Sequence, residues 1–315
     1  MSNIVHLASR QPILIVGSPG WSAGVRKRRR EHLGCRSWSG RGTARAITTQ
    51  LILVFLMLVA ISSPGAAGTI GTDGRLAIAD YARQHDMDAI SVRRLFGASG
   101  RIKCPSYAAS AFLVYRSDIV LTARHVVIPT ASTNSYADWQ RPTHCGFELS
   151  ADGITSTWYD VDVTTMVYPL ERLRSSADRF DWIAMKLTKP VPAVIPYKLS
   201  STPPAADDSV TSITVRQEGL PYQDWNERIV ESCMVRNVVD IDEIAGSGLQ
   251  IDCSATQGAS GGAVVRPGAD GLEVVGVLTA SSNSCKEYDA LSCFTFALGI
   301  SEDIKRAIHS LAGEQ

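Results

Sequence analysis

Between residues 111 and 300, short runs of apolar or alternating side chains recur, separated by Gly, Pro and Asp. They fall at 111–115, 119–122, 158–167, 182–187, 210–215, 228–235, 248–251, 263–266, 272–279 and 294–300. Successive side chains of a strand point to opposite faces, so runs of this length and period predict strands, and their number with turn residues between predicts an all-β sandwich or barrel. The period changes at the end. Ser301 followed by Ile304, Ala307, Ile308 and Leu311 has the i, i+3, i+4, i+7 spacing of an amphipathic helix with a serine N-cap. Residues 76–85 and 90–96 also have helical character, and the segment 69–100 that contains them reads as a propeptide, a packed extension or a binding arm.

The first 68 residues have a different composition. Arg26-Lys27-Arg28-Arg29-Arg30 precedes an eleven-residue apolar stretch at 51–61, and small residues follow at Ser62, Ser63, Gly65, Ala66, Ala67 and Gly68. A basic region, an apolar core shorter than the roughly 20 residues of a membrane span, and a small-residue cleavage region together describe an export leader. Residues 1–68 read as a signal peptide or a signal anchor, and because the basic part is long, either translation begins further in or the segment stays in the membrane as an anchor through 51–61. The rest is then periplasmic or extracellular, and contacts a membrane only if the leader is retained.

Charge supports the same division. Of 31 Lys/Arg and 31 Asp/Glu, residues 1–67 hold nine and one, which leaves the remainder with 22 and 30, a net charge of about −8. The basic run is confined to the leader, and an acidic folded part excludes nucleic acid as an expected partner. Cysteine usage agrees with export. Cys35 lies in the leader and six remain, an even set suited to an oxidising compartment. No C-x-x-C pair or zinc-type histidine spacing is present, so no metal is expected.

Three short segments carry candidate chemistry. Gln257-Gly258-Ala259-Ser260-Gly261-Gly262 sets a serine hydroxyl in a glycine-rich turn whose backbone N–H groups could hold an oxyanion. Thr122-Ala123-Arg124-His125 ends an apolar run with a histidine that could act as a base, and Asp181-Trp182-Ile183-Ala184 opens another with a carboxylate that could orient it. Asp118, Asp160, Asp162 and Asp178 are rival carboxylates, of which Asp178 is the closest competitor. His85 and His144 read as structural or exposed.

In order and spacing these segments match T-A-x-H, D-I-A-L-L and G-x-S-G-G, and from about residue 104 to 300 the chain resembles the trypsin-like (chymotrypsin-fold) serine proteases. Gly219-Leu220-Pro221, Cys233 and Ile251-Asp252-Cys253 add a likeness to the secreted bacterial branch that includes glutamyl endopeptidase-like enzymes. The resemblance implies two six-stranded antiparallel β-barrels with the active site between them, followed by the C-terminal helix, over residues 101–315. It also implies a secreted serine endopeptidase acting on protein or peptide without a cofactor. His125 would be the general base, Asp181 its orienting acid and Ser260 the nucleophile, with the N–H groups of Gly258 and Ser260 as the oxyanion hole. The competing class is a catalytically silent secreted binding protein on the same scaffold.

The same resemblance puts Ser254 at the floor of the substrate pocket and Thr279 and Ser281 along its edge. A serine at the floor disfavours basic side chains and leaves acidic, small or apolar ones open. The favoured disulfides are Cys104–Cys145 around the histidine loop, Cys233–Cys253 across neighbouring strands and Cys285–Cys293 within a local loop. The chain departs from the family pattern twice. Ala259 stands where activatable zymogens carry an aspartate, which predicts an oxyanion turn built without insertion of a newly cut terminus. Arg124 replaces a small residue and is expected to point outward.

Overall fold

The computed structural model describes residues 68–105, 107–128, 142–150, 155–170, 179–215, 227–242 and 246–314. Apart from Gly68, the leader lies outside them, as do Asp178, Gly219, Leu220 and Pro221. In chain order the elements are β1 (Leu76–Ala77), α1 (Ile78–Gln84), α2 (Ala89–Leu95), β2 (Ser99–Lys103), β3 (Ala108–Leu113), β4 (Ile119–Thr122), α3 (Arg124–Val127), β5 (Gly146–Leu149), β6 (Thr157–Val167), β7 (Ile183–Leu187), β8 (Lys198–Leu199), β9 (Ser209–Val215), β10 (Arg228–Asp242), β11 (Gly246–Ile251), β12 (Ala263–Gly268), β13 (Gly271–Ser281), β14 (Thr295–Gly299) and α4 (Glu302–Ala312).

The strands close two six-stranded antiparallel barrels. The first runs β2-β3-β4-β7-β6-β5 and returns to β2; the second runs β9-β10-β11-β14-β13-β12 and returns to β9, with β1 added on β10 and β8 on β13. Closure leaves no barrel strand with unpaired backbone groups along a whole edge. Several barrel strands are buried on both faces, β4 and β14 along their whole length. On β12, Ala263 and Val265 join a core cluster continuous with the first barrel, while Val264 between them joins a second cluster with Leu249, Val275 and Leu278. This is the period-two alternation of a strand with apolar neighbours on either side.

The barrels are also tied by a polar contact. Arg228 on β10 is buried and donates to the carbonyls of Ser99, Gly97 and Ser150 in the first barrel and the chain leading into it. Three disulfides complete the covalent framework: Cys104–Cys145, Cys233–Cys253 and Cys285–Cys293. The first joins the end of β2 to the start of β5.

The C-terminal helix α4 starts where the serine cap predicts, with Ser301 Oγ accepting from the Ile304 N–H at 3.3 Å, and ends on Gly313 in the left-handed conformation. Ile304, Ala307 and Ile308 are buried, and each isoleucine contributes about 2 kcal/mol by leaving water. The segment 69–100 is packed as well. β1 pairs with β10, and Ile78, Tyr81, Ala82, Val92 and Phe96 of the helical region enter the larger core cluster. Among the described residues, no helix is long and apolar enough to cross a membrane.

Candidate active site

Antiparallel pairing of β4 with β7 brings the histidine and aspartate segments together. Thr122 pairs with Ile183, so the chain leaving β4 and the chain entering β7 emerge at the same end of the barrel. There His125, second residue of the short helix α3, meets Asp181 twice. Its backbone N–H donates to Asp181 Oδ1 at 2.9 Å, and its ring Nδ1 lies 2.7 Å from Asp181 Oδ2. Asp181 is fully buried, whereas about a quarter of the His125 side chain is exposed. An ionised carboxylate can only accept, so Nδ1 is the donor in the ring contact and Nε2 is the nitrogen left to face a substrate-side group.

Arg124 does not point outward. It is 1% exposed, and its guanidinium stacks over the Tyr168 ring with 5.0 Å to the centroid. The aromatic face supplies the partner that a solvent-facing arginine would have found in water, and local sequence gives no sign of a residue 44 positions away.

The serine turn is held against this same region. Gly258 and Gly261 adopt φ of 97° and 81°, a conformation that side chains disfavour. A Cβ on Gly261 would fall 2.0 Å from Thr122 Oγ1 and 3.1 Å from Ala123 N, so the residue after Ser260 lies directly on the two residues that lead into Arg124 and His125. The Gly258 carbonyl accepts from the Ser110 N–H at 3.1 Å and from the Ser110 hydroxyl at 2.8 Å. Gly261 N–H donates to the Leu278 carbonyl at 2.7 Å. Ser260 and Gly258 are both half-buried, and Ala259 between them is buried in the core of the second barrel.

Of the rival carboxylates, Asp118, Asp160 and Asp162 lie among the described residues. Asp118 pairs with Arg116 and Lys186, and Asp160 is exposed on β6. Asp162 accepts from Thr164, and His85 and His144 are exposed.

A family model for the trypsin-like peptidase domain matches residues 109–277. The chain belongs to the trypsin-like peptidase family. Among solved structures, a Glu endopeptidase determined in complex with MPD is 13% identical and aligns over 78% of this chain and 100% of its own, with a TM-score of 0.58. A protease named Anisep from Arthrobacter nicotinovorans is 14% identical over 69% of this chain and 96% of its own, with a TM-score of 0.49. No curated protein sequence matches. At this identity the first likeness speaks to the fold, and membership of the peptidase family makes protein or peptide the expected substrate class.

The residues expected to line a substrate pocket differ in their surroundings. Ser254 is buried, donates its N–H to Glu231 Oε2 at 2.7 Å and accepts from the Ile70 N–H at 3.3 Å. Thr279 is buried on β13 with no hydrogen-bond partner for its hydroxyl among the described residues. Thr295, buried on β14, has the same unpartnered hydroxyl, and its strand neighbour Ser281 is exposed.

Sequence reasoning missed Glu231. Burial pushes its carboxyl up to about 7, and the nearby Asp73 carboxylate adds to the rise, while the Ser254 N–H and Arg75 oppose it. Its position inside an apolar, alternating strand was the available signal: β10 places Glu231 among the buried residues Ile229, Val230 and Ser254.

Proposed function

We propose that the chain is an exported serine endopeptidase whose nucleophile is Ser260, general base His125 and orienting acid Asp181. The observation that carries this is the double hydrogen bond from His125 to the buried Asp181, with the Ser260 turn packed on Thr122 and Ala123 at the same end of the first barrel.

The chemistry follows from these groups. His125 Nε2 takes the proton of Ser260 Oγ as that oxygen adds to a peptide carbonyl, and the Gly258 and Ser260 N–H groups receive the oxyanion. Collapse breaks the C–N bond, and the imidazolium returns its proton to the leaving amine. A water then gives a proton to His125 and attacks the acyl-enzyme, and release of Ser260 restores the starting state. Asp181 orients the ring through Nδ1 and stabilises the imidazolium.

Ser254, Thr279 and Ser281 form the proposed substrate pocket. With no acid at 254 it does not favour basic side chains, and its small hydroxyl residues suit acidic, small or apolar ones. Export is supported by the leader pattern of residues 1–68 and by three disulfides, which persist outside the reducing cytosol.

A fluorophosphonate probe tests the assignment on the purified chain. Covalent labelling at Ser260 that disappears in Ser260→Ala, together with cleavage of a peptide library, is the expected result. Absence of both labelling and cleavage in every processed form would instead indicate a silent binding protein.

A further inference from the structure

The loop that leads into the serine turn is held by a segment that belongs to neither barrel in sequence. Three consecutive loop residues each contact it. Ile70 N–H donates to Ser254 Oγ at 3.3 Å, Ala255 N–H donates to the Gly68 carbonyl at 2.9 Å, and Arg75 Nη1 donates to Thr256 Oγ1 at 3.2 Å. The Thr256 carbonyl in turn accepts from the Ala259 N–H at 2.9 Å, closing the turn that contains Gly258. Thr69 and Gly71 bond the backbone of Cys285, so the segment also grips the chain beyond β13.

Arg75 is the centre of this arrangement. Its side chain is 2% exposed, and Asp73 holds it with two bonds, Nε to Oδ1 at 2.8 Å and Nη2 to Oδ2 at 2.7 Å. A bidentate pair fixes the orientation of the guanidinium as well as its charge, which a single contact would not do. β1 pairs with β10 at Leu76 and Val230, and one step further the register sets Arg75 opposite Glu231. Gly74 leaves room for that carboxylate, since a Cβ there would lie 2.8 Å from Glu231 Oε1. Glu231 in turn holds the Ser254 N–H. At position 259, the buried alanine offers no carboxylate that could anchor the turn.

We propose that Arg75, held by Asp73 and backed by Glu231, is a positioning residue for the oxyanion turn, acting through Thr256 to lock residues 254–258. Residues 69–77 are then part of the working enzyme, not a removable propeptide. This rests on the endopeptidase assignment above. Arg75 touches no reacting atom, and its effect is on where the Gly258 and Ser260 N–H groups point. A displacement of about 1 Å in such donors costs on the order of a hundredfold in rate.

The test uses the full chain and begins with the unaltered protein. Fluorophosphonate labelling and peptide cleavage must be present and must be lost in Ser260→Ala; if they are absent, the endopeptidase assignment fails and this proposal falls with it. Given an active protein, Arg75→Ala should lower kcat by roughly tenfold to a hundredfold, with KM changed less than about twofold and the melting transition retained. Arg75→Lys should recover part of that loss, because an ammonium keeps the charge but not the bidentate fork. Thr256→Val removes one hydroxyl and should lower kcat several-fold at an unchanged melting temperature. Full kcat in Thr256→Val overturns the proposal even if Arg75→Ala does not fold, and full kcat in Arg75→Ala overturns it directly while the endopeptidase assignment stands. N-terminal sequencing of the labelled species should give a start at or before Thr69. A labelled species that starts beyond Thr69 also overturns the proposal.

Discussion

His125 and Asp181 are held within one barrel by neighbouring strands, whereas the Ser260 turn takes its supports from three distant parts of the chain. For the first pair the β4–β7 register suffices: once Thr122 pairs with Ile183, the following turn and the preceding residue must meet. Around Ser260 the supports are Ser110 from β3, Leu278 from β13 and the segment 68–75. Ladder bonds are numerous and cooperative, while these side-chain and loop contacts are few and separately removable. On the proposed assignment, the half that carries His125 and Asp181 is therefore built to tolerate distant change, and the half that carries Ser260 is open to control by it.

The largest effects are expected at the proposed reacting groups. Ser260→Ala should reduce kcat on the order of a millionfold in initial-rate assays, because the covalent route is lost. Asp181→Asn should cost on the order of ten-thousandfold at neutral pH without shifting the melting temperature much. The amide keeps the volume but donates towards Nδ1, which selects the wrong imidazole tautomer. A loss of tenfold or less there would mean that the two-bond contact to His125 is not what orients the ring.

Disulfides test the contrast between the halves more directly. Cys104 and Cys145 are 41 residues apart, and replacing both with Ala should lower unfolding free energy by about 4 kcal/mol in urea titrations, with kcat of the folded protein retained. Cys233 and Cys253 are 20 residues apart, with an expected cost of about 3 kcal/mol. Because Cys253 adjoins Ser254, their replacement should also depress kcat. Equal kcat in the two double variants would erase the proposed asymmetry.

The smallest effect concerns Glu231 and is read from stability against pH. Its folded pKa of about 7 lies above the usual carboxylate value of 4.5, so the native state binds the extra proton. The stabilisation is full below pH 4.5 and is lost as pH rises through 7, on the order of 3 kcal/mol in all. Glu231→Gln mimics the protonated form and should remove this dependence, leaving the variant more stable than the parent above pH 7. An unchanged pH–stability curve would show that Glu231 does not titrate in this window.

Most strands and the C-terminal helix were legible because their buried faces are apolar. β2 and β5 were not. Ser99–Lys103 and Gly146–Leu149 carry Arg101 and Glu148, which lie opposite each other in the β2–β5 ladder and form an ion pair, with the guanidinium also over the Trp158 ring at 5.4 Å. A charge neutralised by a partner 47 residues away leaves no hydrophobic pattern to read. The burial of Arg124, expected to point outward, was missed for the same reason, since its partner Tyr168 is remote in sequence.

What the amino-acid order determined alone was the identity and succession of the candidate reacting groups, because a nucleophile turn, a base after a strand and an acid before one each need particular residue types at short range. The glycines at 258 and 261 belong to that local logic. Tertiary structure decided how the serine turn is supported. Arg75, Asp73, Glu231 and Thr256 are ordinary polar residues until β1 docks on β10, which buries Arg75 and Glu231 and brings Asp73 and Thr256 against the guanidinium. Long-range burial and pairing set their energies, and neither is encoded in any window of neighbouring residues.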